Sequence, residues 1–199
     1  MKPFPYCFRI LLHSALALLF SANALNLLAQ NNAEVTKIRA VYKEVGDKIL
    51  ECQNAEEPEI CRLYLNSLTV NQHNSPWAAV GIYGAVRDFW FEQSRNPGEN
   101  GPSYVLRKLN ITSHRSARDQ NEEYLFDSEG NLLFYFFKEK SRGEEETTEN
   151  RFYFKGDKLV EYTEKINEEE AEYQMYHKAD AALVLQQAKR LKEFFQGTL

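Results

Sequence analysis

The thiols are the first residues whose spacing implies chemistry. Cys52 and Cys61 stand nine positions apart around Gln53-Asn54-Ala55-Glu56-Glu57-Pro58, a polar stretch whose proline can turn the chain back on itself. Two cysteines without CxxC spacing or nearby histidines are too few to hold a metal, so the pair predicts a disulfide. The third cysteine, Cys7, lies in the leading segment 1–29 that is expected to be cleaved, which leaves no thiol nucleophile in the rest of the chain. His73, His114 and His177 fall on a loop, a turn and a helix, with no ligand spacing between any two. Glu144, Glu145, Glu146 and Glu149 form an acidic run in a connector, without the Asp-x-Asn-x-Asn-Gly order of a calcium loop. That run reads as a solvated turn, and Glu122 and Glu123 as solvated too. GxSxG, P-loop, HExxH and strand-linked GxGxxG motifs are all missing from the sequence. The sequence therefore assigns no catalytic residue, no metal and no cofactor.

One cluster carries more information. Trp77, Tyr83, Arg87, Asp88, Phe89, Trp90 and Phe91 include both tryptophans of the chain. Aromatic residues with an arginine are enriched where proteins bind partners, which makes Trp77, Tyr83, Arg87 and Trp90 a candidate binding surface. The competing expectation is plain core, with Arg87 covering its edge. In a strand, Tyr83, Arg87, Phe89 and Phe91 share one face, and Asp88 and Trp90 take the other. Asn110-Ile111-Thr112 is a glycosylation sequon, relevant only in a eukaryotic secretory route.

The elements that must position these residues begin after an export signal. Lys2 and Arg9 precede the apolar run from Ile10 to Phe20, and Ala22-Asn23-Ala24 matches the A-x-A pattern of signal peptidase sites. Residues 1–29 read as a secretory signal, cleaved after Ala24 or after Ala29. A spanning helix wants about 20 apolar residues; this core is shorter, interrupted, and followed by Asn23 and Asn26. Cleavage removes two basic residues and no acid, so the formal charge of −5 becomes −7. Such an acidic chain is a poor match for nucleic acid, whose phosphates need clustered Lys and Arg.

Residues 30–199 suit a single domain. Residues 32–53 predict a helix, with Val35, Ile38, Tyr42, Val45, Ile49 and Cys52 on one face. From Arg62 the period changes to two. Strands follow near 62–72, 77–92 and 105–113, with a bulge or close backbone approach at Gly81 or Gly84. A loop is expected at 96–102 and a projecting turn at 114–121. Residues 124–135 and 152–162 each read as strand, Gly-containing turn, strand, which predicts two hairpins of one antiparallel meander. These hairpins resemble the short repeats of tyrosine–aspartate repeat proteins. Two copies fall short of the three that an array needs, so they imply a local hairpin design and no family.

A second helix is expected from Glu168 to Gln196, with Asn167 as N-cap and Glu170 in the capping-box position. Its stripe is Val184, Ala188, Leu191 and Phe195, extended by Tyr173 and Ala181, with Lys192 on the opposite side. Strands segregated from helices predict an α+β fold: an antiparallel sheet of about seven strands, both helices against one face. The function expected from these features is a non-enzymatic exported protein, periplasmic or extracellular. It would bind a protein, peptide or envelope component and have no membrane span after cleavage. The alternative is a small-ligand carrier or enzyme with a pocket between sheet and helices. N-terminal sequencing of the exported protein should return Leu25 or Gln30 as the first residue; an intact Met1 would rule the signal out.

Overall fold

Neighbouring residues on a strand face opposite sides of a sheet. Phe89-Trp90, Tyr124-Leu125-Phe126, Phe134-Tyr135 and Phe152-Tyr153-Phe154 therefore make a sheet that is apolar on both faces. A computed structural model describes residues 7–77, 81–94, 103–115, 117–143, 146–171 and 178–199, with side chains in the first helix from Asn31 onward. The order is α1 (Cys7–Asn54), a 3-10 turn at Pro58–Ile60, β1 (Tyr64–Val70), β2 (Pro76–Trp77), β3 (Gly81–Gln93), β4 (Tyr104–Arg115) and β5 (Arg118–Phe126). Then come β6 (Leu132–Ser141), β7 (Thr147–Lys155), β8 (Lys158–Ile166), β9 (Glu169–Glu170) and α2 (Lys178–Gln196). The strands form one antiparallel sheet in the order β1-β3-β4-β5-β6-β7-β8-β9, with β2 beside β3. This is the expected α+β fold, with nine strands among the described residues where about seven were expected.

The two helices do not share a face. Val35, Ile38, Val45 and Ile49 of α1 pack with Leu63, Trp90, Leu125, Phe134 and Tyr153. Ala181, Val184, Ala188, Leu191 and Phe195 of α2 pack with Phe89, Leu109, Tyr124, Tyr135, Phe152 and Phe154 on the other side. The single shared core expected from the sequence is thus overturned, and the reason is the alternation itself. Each face carries its own apolar row, and burial of apolar surface, worth about 25 cal/mol per Å², goes unrealised for any row left uncovered. The result is a helix, a sheet and a helix in three layers.

Both hairpin turns are as expected. Gly130 (φ 78°) lies in the β5–β6 turn and Gly156 (φ 56°) in the β7–β8 turn, in the left-handed region that glycine enters without steric cost. Asp127 braces the first turn, accepting the backbone N–H of Glu129 at 2.9 Å and of Asn131 at 2.7 Å.

Other boundaries move. The expected start of the second helix is a further hairpin: Asn167 (φ 52°) and Glu168 (φ 71°) form a left-handed turn, and Glu169–Glu170 pair with Ile166 and Lys165. Two consecutive positive φ values cannot belong to a helix N-terminus, so the capping box is not formed. Residues 114–121, expected to project as a turn, mostly extend β4 and β5. The register shift in β3 falls at Trp90/Phe91, not at a glycine. At Gly84 a Cβ would meet Asn74 Oδ1 at 3.4 Å, an ordinary van der Waals contact, so no close backbone approach requires glycine there either. Lys192, expected to face solvent, donates to Gly130 O at 2.8 Å and ties α2 to the β5–β6 turn. The expected loop at 96–102 and residues Glu144, Glu145, Tyr173 and His177 lie outside the described residues, as do the side chains of the predicted signal segment. Among the described residues no helix is long and apolar enough to cross a membrane.

Separate cores make a testable difference. Ile38→Val should cost about 0.5–1.5 kcal/mol and Leu191→Ala about 2–5 kcal/mol. The double variant should equal their sum to within about 0.5 kcal/mol, because no partner is shared across the sheet. Gln187→Ala, exposed on α2, should stay within about 0.5 kcal/mol. Urea melts of the four variants measure all three expectations.

Candidate functional site

Trp77, Tyr83, Arg87 and Trp90 do not form one surface. Trp77 and Tyr83 meet edge to face with ring centroids 5.6 Å apart, and Arg115 stacks on Tyr83 at 5.6 Å. Arg115 was missed in the sequence because it belongs to the next strand, where it is the register partner of Tyr83. Arg87 lies on Tyr83's face, half-buried, with no hydrogen-bond partner for its buried Nε. Trp90 is on the opposite face, 6 % exposed, in the core under α1.

His114 has half of a catalytic arrangement. Its Nδ1 lies 2.7 Å from Asp119, which Arg142 also grips. Those bonds, first from Arg142 and then from His114, hold the Asp119 carboxyl down at about 2. The adjacent hydroxyl, Ser113, occupies the other face of β4 and lies 3.4 Å from Gln120. A nucleophile, a base and an orienting acid are therefore not assembled here.

Glu122 and Glu123 are half-buried and partnered, not free in solvent as expected. Being consecutive on β5, they enter opposite faces. Glu122 accepts the hydroxyls of Tyr124 (2.8 Å) and Tyr135 (3.0 Å) beneath α2, and burial pushes both phenols far above their ordinary range. Glu123, beneath α1, accepts the Tyr42 hydroxyl at 2.6 Å and pairs with Lys108 at 2.8 Å. Lys108 Nζ also sits 4.4 Å over the Tyr42 ring. The signal for both was available: a glutamate beside buried tyrosines supplies the acceptor their hydroxyls need.

Among the described residues several concave places remain after these groups are satisfied. Beneath α1, Ile38, Arg39, Tyr42, Glu123, Phe134, Phe136, Arg151 and Tyr153 line a cleft of about 320 Å³. At the β1 edge, Cys52, Ala55, Glu56, Cys61, Leu63, Tyr64 and Leu65 line a hollow of about 500 Å³. A larger hollow of about 800 Å³ beside α2 has Asp157, Lys189, Lys192 and Glu193 around it, charges of both signs that select no ligand.

The β1 hollow is built around the disulfide. Cys52 and Cys61 are joined, with Cα atoms 4.6 Å apart, which fastens the end of α1 to the strand that opens the sheet. Tyr64 stacks on Phe91 at 5.4 Å, yet remains 53 % exposed, beside Leu65 at 45 % and Ile60 at 47 %.

Comparison with protein-family models, curated proteins and solved structures finds no match to this chain. What the chain can bind must therefore be argued from these surfaces. Breaking the disulfide should lower stability by about 2–3 kcal/mol by loop entropy. Melts with and without reductant measure this, and intact mass should rise by two hydrogens on reduction; an unchanged mass would mean free thiols.

Proposed function

We propose that this is an exported, non-enzymatic binding domain whose partner is an extended peptide segment of another protein, added as a strand along β1. One observation carries this: the two edges of the sheet are finished differently. At the far edge, β8 bears Lys158, Glu161, Glu164 and Lys165, and the two-residue strand β9 is Glu169–Glu170. Charges and short strands of this kind block edge-to-edge pairing. At the near edge, β1 is Tyr-Leu-Asn-Ser-Leu-Thr-Val, seven residues with no charge and no proline, and no described strand lies outside it.

Strand addition draws affinity from main-chain hydrogen bonds and specificity from pockets for alternate side chains. The hollow beside the disulfide offers such a pocket next to Tyr64 and Leu65. Glu51, Glu56, Glu57 and Glu59 are exposed nearby, so the fitting segment is apolar at alternate positions with a basic flank.

Two features agree with the exported part of this reading. Cleavage after Ala24 or Ala29 spares the described core residues of α1, of which Val35 is the first, and the disulfide suits an oxidising compartment. The cleft beneath α1 favours a second reading, a small-ligand carrier.

Peptides selected from a random displayed library on the purified protein should be extended, apolar at alternate positions and basic at one end. Leu65→Lys should weaken them at least about tenfold, while Leu183→Lys, on exposed α2 surface, should not. Equal binding by both variants would refute the β1 assignment. A wild-type dimer that Leu65→Lys converts to monomer would name a second copy of this chain as the occupant instead.

A further inference from the structure

The cleft beneath α1 has an uneven charge pattern. Glu123 is occupied by Lys108 and Tyr42. Glu149, just beyond the cleft, is shared between Lys138 (2.8 Å) and Arg151 (2.7 Å). Glu34, one turn before Ile38 on α1, is held by Lys155 (3.0 Å) and Lys37 (3.1 Å). Glu161, the register partner of Tyr153, makes no ion pair with Arg39. Among the described residues, Arg39 has no carboxylate at all. Its guanidinium stands over the Tyr153 ring at 5.6 Å, and Arg151 stands over Phe136 at 5.3 Å on the same cleft.

The rest of the lining is apolar: Ile38 from the helix, with Phe134, Phe136 and the Tyr153 ring from the sheet. Phe134 and Tyr153 lie with centroids 4.9 Å apart. We propose that this cleft binds a small aromatic monocarboxylate, its ring against Phe134, Phe136 and Tyr153 and its carboxylate on Arg39, with Arg151 beside it.

The chemistry selects that class. A cationic ligand would meet two guanidinium groups. A sugar would set most of its hydroxyls against Ile38 and three rings, and the acceptors in reach, Glu123 and the Tyr42 hydroxyl, are already bonded to Lys108 and to each other. A phosphate wants several converging donors, whereas the planar fork of one unpaired arginine matches the two oxygens of a carboxylate. The volume, about 320 Å³, lies at the low end of the roughly 300–1,000 Å³ typical of ligand sites. It suits one ring with a short side chain.

Calorimetric titration of the purified protein with 3-phenylpropionate tests the site. Its Kd should be about 1 mM or tighter, the affinity that ligand efficiency gives a molecule of this size. The neutral amide, 3-phenylpropanamide, should bind at least about tenfold more weakly, and Arg39→Gln should weaken the acid by a similar factor. Arg39 is exposed, so the melting temperature of that variant should not change. Ring resonances of Phe136 and Tyr153 should shift on titration. Absence of binding would overturn the proposal, as would equal binding of acid and amide, an unaffected Arg39→Gln, or displacement of the acid by equimolar inorganic phosphate. Leu65→Lys should leave this binding intact, which separates the fate of this site from that of the β1 edge.

Discussion

Leu125 is completely buried under one helix, and its neighbours Tyr124 and Phe126 are buried under the other. A strand cannot turn both kinds of neighbour to the same side, so a central strand with consecutive large apolar residues must be sandwiched. The three-layer arrangement, the placement of α1 and α2 and the two independent cores follow from that constraint. The antiparallel meander supplies the middle layer, and each amphipathic helix has one row of apolar side chains to receive it.

The same alternation decides where polar groups are carried inside. Glu122 and Glu123 follow one another in sequence and end on opposite faces, each answering the hydroxyl demand of a covered tyrosine. Buried polar groups without partners are costly, and these tyrosine hydroxyls are matched from the same strand, the next strand or the helix above. Beneath α1 the pairing of Lys108, Glu123 and Tyr42 consumes its charges locally. That leaves Arg39 at the cleft mouth as a cation with no carboxylate partner among the described residues.

Local signals were the legible ones. The stripe of α1, the stripe of α2, the two Gly turns and the Cys52–Cys61 pair all depend on residues close together in the chain, and each is where its spacing placed it. The face that each helix covers is also written in the strands, in pairs such as Phe134-Tyr135 whose members enter different cores, although the alternation alone does not say which helix takes which face. The start of α2 was misplaced because Asn167, Glu168 and Glu170 serve a tight turn and an edge strand as readily as a cap. Surfaces made by distant residues were not legible at all. Arg115 reaches Tyr83 across a strand pairing, and Arg39 and Arg151 come together only when α1 lies on β7. Proximity of Trp77 and Trp90 in sequence was misleading for the opposite reason, since strand direction sends them to different sides.

The positions of the helices also bear on how the chain reaches its folded state. Strands β3 to β8 pair almost wholly with their successors, so the sheet can grow hairpin by hairpin with short loop closures, the topology associated with fast folding. α1 is the exception. It is made before the sheet, yet it rests on Leu125, Phe134 and Tyr153, residues synthesised some 80 to 110 positions later. Until those strands have formed, its apolar stripe has no native partner, and unpaired surface of this kind is what favours aggregation in partly folded chains. A helix that precedes the sheet in the chain is therefore among the last elements to be secured, and its apolar stripe depends on the whole meander being complete.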